Sequence, residues 1–170
     1  MKKIKIGAVS YLNTLPLIEG LNDSDSFSIL RLPPSKLDKK LEDGSVDIAL
    51  CSLVDYSRLW PEVKIIPVGA IGCCGPTLTV RLFSKIDVKE IKSIAIDSDT
   101  HTSVKLLKLW LRCCHGVIPK FFTINLKENE ISKKNVDAVL MIGDKVITSP
   151  PSLEYQKYVI DLGEAWFKWQ

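Results

Sequence analysis

Residues 3–16 read KIKIGAVSYLNTLP, and this stretch decides the fold class. Ile4, Ile6 and Ala8 recur at period two, the mark of a strand with one face toward a core. The apolar run then gives way to Ser10, Tyr11, Asn13 and Thr14. Pro16 follows near the start of a short helix expected over residues 14–21, where proline costs no hydrogen bond. The pattern then repeats. FSILRL at residues 27–32 is a second strand, and Pro33-Pro34 stops it. Ser35 fits an N-cap, with Leu37 and Leu41 on one face of a helix ending near Gly44. VDIALC at residues 46–51 is a third strand, nearly all apolar, as expected when both sheet faces are covered. Ser52 follows at a helix start, and further strands are expected at residues 63–68 and 77–83. Strand–helix–strand alternation at this pitch implies an α/β protein with a parallel sheet.

The second half repeats the scheme. A strand at residues 93–96 ends at Asp97, and a polar turn covers residues 98–102. Val104, Leu107, Trp110 and Leu111 share a face of a helix over residues 103–114, and Gly116 stops it. Strands follow at residues 121–124 and 136–142, the latter closed by Gly143-Asp144. Residues 127–134 read as polar and solvated, and residues 148–151 as a loop. The division expected is a first lobe over residues 1–85 and a second over 86–155, joined by a hinge or crossover near residues 71–76. Residues 156–170 are expected to return toward the first lobe. A cleft between two such lobes is a default ligand site.

Composition narrows the function. The 170 residues are 46% hydrophobic and 25% charged, which excludes a disordered or fibrous chain. The net charge of +3, from 23 Lys+Arg against 20 Asp+Glu, lacks the basic excess of a duplex-binding protein, so no nucleic-acid partner is expected. No apolar run approaches the roughly 20 residues that span a bilayer, so no membrane partner is expected. The basic N-terminus runs into Tyr11, Asn13, Thr14 and Pro16 in place of a signal peptide's apolar stretch, and a cytoplasmic location is expected. Cys51, Cys73, Cys74, Cys113 and Cys114 are odd in number and include two adjacent pairs. They read as reduced thiols packed mostly as small hydrophobes. Cys113-Cys114-His115 with His101 lacks the spaced ligand pairs of a structural zinc site, so no metal is expected.

The usual catalytic signatures are missing: no G-x-S-x-G, P-loop, G-x-G-x-x-G or H-E-x-x-H occurs. What recurs is small hydroxyl and amide residues at strand ends. Ligands of open α/β sheets sit beyond the carboxyl ends of the strands. Helices that start there aim N–H groups and a positive dipole end at an anion. Ser10, Tyr11, Thr14, Ser52, Thr102 and Ser103 are therefore candidate contacts for a carboxylate-bearing ligand, although each hydroxyl also has the plainer reading of a helix cap. Asn13 either makes a turn hydrogen bond or offers an amide that orients substrate. Gly143 and Asp144 close a strand, where Asp144 is a ligand candidate or a turn residue.

VSYLNTLPLIEGL, residues 9–21, resembles the opening of the chorismate dehydratases of the futalosine route to menaquinone, which carry Y-L-N-x-L-P-L after their first strand. VDIALCSLVDY (46–56), CCGPTLTVRLFSK (73–85), SIAIDSDTHTSVKLL (93–107), VDAVLMIGD (136–144) and IDLGEAW (160–166) are similar to that family's later segments, in the same order. The resemblance implies a type II periplasmic-binding-protein-like fold, with two lobes of mainly parallel sheet, used as a cytoplasmic enzyme. The implied activity is that of a hydro-lyase that removes water from chorismate to give 3-[(1-carboxyvinyl)oxy]benzoate. No cofactor is implied, because the ring becomes aromatic, and the partner implied is a small dicarboxylate. The family's Asn falls on Asn13 and its crossover-strand hydroxyl on Thr79. Ser52, Thr102 and Ser103 match substrate-contacting segments. Family members continue past Leu-Gly-Glu-x-Trp, whereas this sequence stops at Gln170. The expectation is an incomplete first lobe with exposed apolar surface, which favours a homo-oligomer. The alternative reading is a catalytically impaired carboxylate-binding protein of the same fold.

Overall fold

The computed structural model describes residues 3–21, 25–97, 100–124 and 131–170. It divides into two units, Met1–Gly72 and Cys73–Gln170.

In the first unit, β1 (Ile4–Val9) lies between β2 (Phe27–Leu32) and β3 (Ile48–Ala49), parallel to both. A 3-10 turn, Leu12–Thr14, leads from β1 into α1 (Leu15–Ile18). The helices α2 (Pro34–Glu42) and α3 (Leu53–Leu59) follow β2 and β3. Gly7 explains how α2 lies so close to β1: a Cβ there would stand 2.9 Å from Leu37 Cδ2. Leu37 is fully buried as a result. The two helices are tied by Arg58, which pairs with the buried Asp38 at 3.1 Å and with Glu42 at 3.4 Å.

Three details differ from the sequence-based expectation. The cap of α2 is Pro33 and its first residue Pro34, so Ser35 lies inside the first turn. Proline's fixed φ suits a helix start, and its missing N–H loses nothing there. The third strand is two residues long instead of six. Residues 63–68, expected as a strand, carry no regular structure. Pro61 precedes that run and Pro67 interrupts it, and Ile65, Ile66 and Val68 are exposed. A proline-interrupted segment with no ladder partner among the described residues gains nothing from extending its apolar residues.

The second unit holds β4 (Val80–Ser84), β5 (Ser93–Asp97), β6 (Lys120–Ile124), β7 (Ala138–Ile142) and β8 (Tyr158–Asp161) in the order β6-β5-β7-β4-β8. β5 pairs in parallel with β6 and β7, while β4 is antiparallel to both its neighbours. Helices α4 (Thr102–Trp110), α5 (Ile131–Lys134), α6 (Lys145–Thr148) and α7 (Leu162–Trp169) complete it. After α4 one π turn, Leu111–His115, ends at Gly116 with φ 69°. The sheet is buried on both faces, and the strand period shows it. Leu82, Ile94 and Leu140 join Leu107, Leu111 and Leu162 in one cluster, whereas their chain neighbours Phe83, Ala95 and Met141 join Ile124 and Tyr155 in another. Each fully buried Leu-sized side chain contributes about 1.5–3 kcal/mol relative to exposure.

Both units are α/β with mainly parallel sheet, as the sequence implied. The division falls after Gly72, within the join expected near residues 71–76, and residues 73–85, expected in the first lobe, belong to the second unit. The strand expected at residues 77–83 starts at Val80 and belongs to the five-stranded sheet, because Leu82 and Phe83 supply both of its apolar faces. Residues 156–170, expected to return toward the first lobe, stay within the second unit, where β8 pairs with β4 and α7 packs against α4. Cys73, Cys74, Cys113 and Cys114 are exposed rather than packed, and Cys51 is half-buried. The expected polar turn at residues 98–102 and solvated run at residues 127–134 fall partly outside the described residues. Among the described residues no helix is long and apolar enough to cross a membrane.

Candidate functional site

The carboxyl edge of the first unit's sheet gathers the residues that follow β1 and β3. Gly7 pairs with Ala49, so Ser10 and Ser52, each three residues further on, leave neighbouring strands at the same edge. The Ser10 N–H donates to the Leu32 carbonyl at 3.1 Å, which fixes the exit of β1 against β2. Tyr11 is extended and half-buried, and Asn13 lies in the turn Leu12–Thr14 with its side chain exposed. Thr14 is fully buried, so its hydroxyl faces the interior of the unit rather than solvent.

Ser52 is committed to a cap. Its Oγ accepts from the Asp55 N–H at 3.1 Å and donates to Asp55 Oδ2 at 2.7 Å. Asp55 is itself buried, and the reciprocal pair satisfies the Ser52 hydroxyl, the Asp55 N–H and the Oδ2 oxygen of the carboxylate at the start of α3. Cys51, next to this pair, has its thiol pushed up to about 11 by burial and by the charges of Asp55 and Asp38. A thiol so raised is neutral at pH 7 and a poor nucleophile.

The second unit brings its candidates to one edge as well. β4 enters the sheet antiparallel to β7, with Val80 opposite Ile142, so Thr79 meets the loop that leaves β7. The Gly143 N–H donates to the Thr79 carbonyl at 2.8 Å. Gly143 has φ 76°, a left-handed conformation that glycine adopts without Cβ strain. Asp144 opens α6 through its backbone: its carbonyl accepts from the N–H groups of Ile147 and Thr148, both at 3.0 Å. On the neighbouring strand, α4 starts at Thr102 with His101 at its cap. Thr102 and Ser103 are therefore the first two helical residues rather than the cap, and their backbone N–H groups are left without intrahelical partners.

Three further charged residues at this edge were not singled out from the sequence. Asp97, buried at the end of β5, forms an ion pair with Lys145 at the start of α6. Burial lowers the pKa of Lys145. The signal available in the sequence was a strand-terminal Asp and a Lys directly after Gly143-Asp144. The third residue, Asp161, ends β8 and caps α7, accepting from the N–H groups of Gly163 at 3.0 Å and Glu164 at 3.3 Å. It also accepts from the Thr77 N–H at 2.9 Å, the Thr77 hydroxyl at 3.1 Å and the Leu78 N–H at 2.7 Å. Burial would raise its pKa, but these backbone and hydroxyl donors prevail and hold the carboxyl below its ordinary value. Leu78, which it holds, has φ 63°.

A family model described as "Menaquinone biosynthesis" matches residues 4–170. The chain belongs to the menaquinone-biosynthesis family. The chorismate dehydratase of Thermus thermophilus is 28% identical over 154 residues, covering 90% of this chain and 55% of that protein. This menaquinone-biosynthesis family member thus spans about half the length of that curated relative. The crystal structure of protein AF1704 from Archaeoglobus fulgidus superposes with a TM-score of 0.70 at 18% identity, over 98% of this chain and 62% of the other, a likeness that shows the fold. A periplasmic substrate-binding protein of an ABC transporter from Coxiella burnetii aligns with a TM-score of 0.45 at 16% identity, over 82% of this chain and 71% of its own. The α/β class expected from the sequence is the class found in this family member.

Proposed function

We propose that the chain acts as a chorismate dehydratase in the futalosine route to menaquinone, in the cytoplasm. The observation that carries this reading is the 28% identity with a chorismate dehydratase over 90% of the chain, within a menaquinone-biosynthesis family. Chorismate carries two carboxylates. The backbone N–H groups that open α4 suit one of them, and Thr79, Gly143 and Asp144 stand on the same edge of the sheet. Asn13 is exposed in the turn after β1, free of the burial that removes Thr14 from solvent.

In the proposed reaction a proton leaves the ring carbon that bears the enolpyruvyl ether, and the neighbouring hydroxyl departs as water. The ring becomes aromatic, which supplies the driving force without a redox partner. A neutral amide is a poor base at neutral pH. Asn13 therefore orients the substrate, and the substrate's own side-chain carboxylate accepts the proton and passes it to the departing hydroxyl, which leaves as water. Fixing that carboxylate beside the ring lowers the barrier through proximity.

The test is to incubate the full chain with chorismate and follow the ultraviolet absorbance of the benzoate product. Turnover by the wild type, with a loss of about 100-fold in kcat for Asn13→Ala, is the result expected if a positioned amide stabilises the reacting geometry. Turnover by Asn13→Ala at the wild-type rate removes Asn13 from the chemistry. Binding of chorismate without turnover supports the alternative, a catalytically impaired carboxylate-binding protein.

A further inference from the structure

Leu78 is in the left-handed region, with φ 63°, and its side chain is exposed. A β-carbon disfavours that conformation, so a leucine stays there only when its surroundings hold it. One carboxylate does so here. Asp161 takes the Leu78 N–H on Oδ2 at 2.7 Å, and both the N–H and the hydroxyl of Thr77 on Oδ1. A second restraint acts from the same segment of chain. A Cβ at Gly163 would stand 2.5 Å from the Gly75 carbonyl oxygen and 2.6 Å from Thr77 Cγ2, so residues 75–77 lie directly on the start of α7. The next residue after the strained one is Thr79, whose carbonyl receives the Gly143 N–H and whose hydroxyl reaches the Thr77 carbonyl at 3.4 Å.

We propose that Asp161 is a positioning residue: its carboxylate holds the strained turn at residues 77–79 and thereby sets Thr79 at the carboxyl edge of the five-stranded sheet. The role rests on the reading of that edge as a binding surface for chorismate. The Asp-Leu-Gly run then has a division of labour. Asp161 supplies the acceptor, Leu162 anchors α7 in the core, and Gly163 leaves room for the turn to come within reach. Charge-assisted hydrogen bonds to backbone N–H groups suit this task, being stronger than neutral ones.

The test combines amide hydrogen exchange at Thr77, Leu78 and Thr79 with steady-state kinetics on chorismate. Asp161→Asn keeps the shape but turns one acceptor oxygen into a donor. It is expected to speed exchange at Thr77 or Leu78 by at least about tenfold and to raise KM by about tenfold, with a smaller effect on kcat. Adding Leu78→Gly relieves the left-handed strain and is expected to restore protection and KM in part. A general loss of the α7 cap would not respond to Leu78→Gly. Should Asp161→Asn fail to fold, Leu78→Val with Asp161 intact serves instead: a β-branched residue raises the strain at position 78 and is expected to speed exchange at the same amides and raise KM. Unchanged exchange in Asp161→Asn, or in Leu78→Val, overturns the proposal, as does an Asp161→Asn defect that Leu78→Gly leaves untouched. A wild type with protected Thr77 and Leu78 amides that leaves chorismate unchanged sinks the dehydratase reading, and the exchange comparison alone then decides the role of Asp161.

Discussion

Gly163 lies so close to Gly75 that a Cβ built on it would stand 2.5 Å from the Gly75 carbonyl oxygen. The obstacle is backbone, and the backbone concerned is fixed by Asp161 through Thr77 and Leu78. Nothing flexible stands ready to give way. Gly7 makes a contrast, because its close neighbour at 2.9 Å is the tip of the Leu37 side chain.

Gly163→Ala is therefore expected to destabilise the protein by about 2–3 kcal/mol, and Gly7→Ala by less, since a leucine rotamer can absorb part of the overlap. Denaturant melts of the two variants beside the wild type measure this. Equal losses would show that the turn at residues 75–77 yields as easily as a side chain.

Acid should act through Asp161. Its carboxyl titrates below its ordinary value of 3.8 in the folded protein. A group depressed on folding adds stability that is complete above the unfolded pKa and is lost as pH falls through the folded one. The stability gap between wild type and Asp161→Asn should thus be constant from neutrality down to about pH 5 and narrow below about pH 4. Urea titrations across that range read the gap directly, and a gap independent of pH would show that the carboxylate charge contributes nothing.

The five thiols should separate by reactivity. Cys73, Cys74, Cys113 and Cys114 are exposed, while Cys51 is half-buried with a thiol raised to about 11. Treatment of the native protein with a disulfide reagent at pH 8 should modify four thiols fast and Cys51 much more slowly. Denaturation should abolish the difference. Fast reaction at Cys51 would contradict the environment described for it.

Much of the architecture was legible in the sequence because periodicity reports burial. Residues 27–32 form a strand over the span that FSILRL suggested, and Gly116 stops the α4 segment in the left-handed conformation expected of a helix stop. The failures share a cause. IIPV at residues 65–68 is apolar, but it pairs with no strand, and apolar character alone does not supply a ladder. YVID at residues 158–161 is too short to announce itself, yet it pairs with β4 and places Asp161. Strand ends drew attention to Ser52 in the first unit and to Gly143-Asp144 in the second, whereas Thr79, inside the expected strand at residues 77–83, came only from the family resemblance. What the hydroxyls do was not legible. Ser52 takes the plainer of its two readings, a helix cap, while Thr14 is buried, and which reading wins depends on packing that residue type alone does not reveal. Asp161 was invisible as an organiser because its partners, Thr77 and Leu78, lie more than 80 residues away in sequence.

Removal of water from chorismate is the activity proposed for this chain. Proton NMR of chorismate incubated with the full chain tests it directly. The ring signals of chorismate are expected to decline as aromatic signals of 3-[(1-carboxyvinyl)oxy]benzoate rise in equal amount, with the enolpyruvyl protons retained. Chorismate signals that persist unchanged at high protein concentration, or that decay into products lacking the enolpyruvyl group, would contradict it.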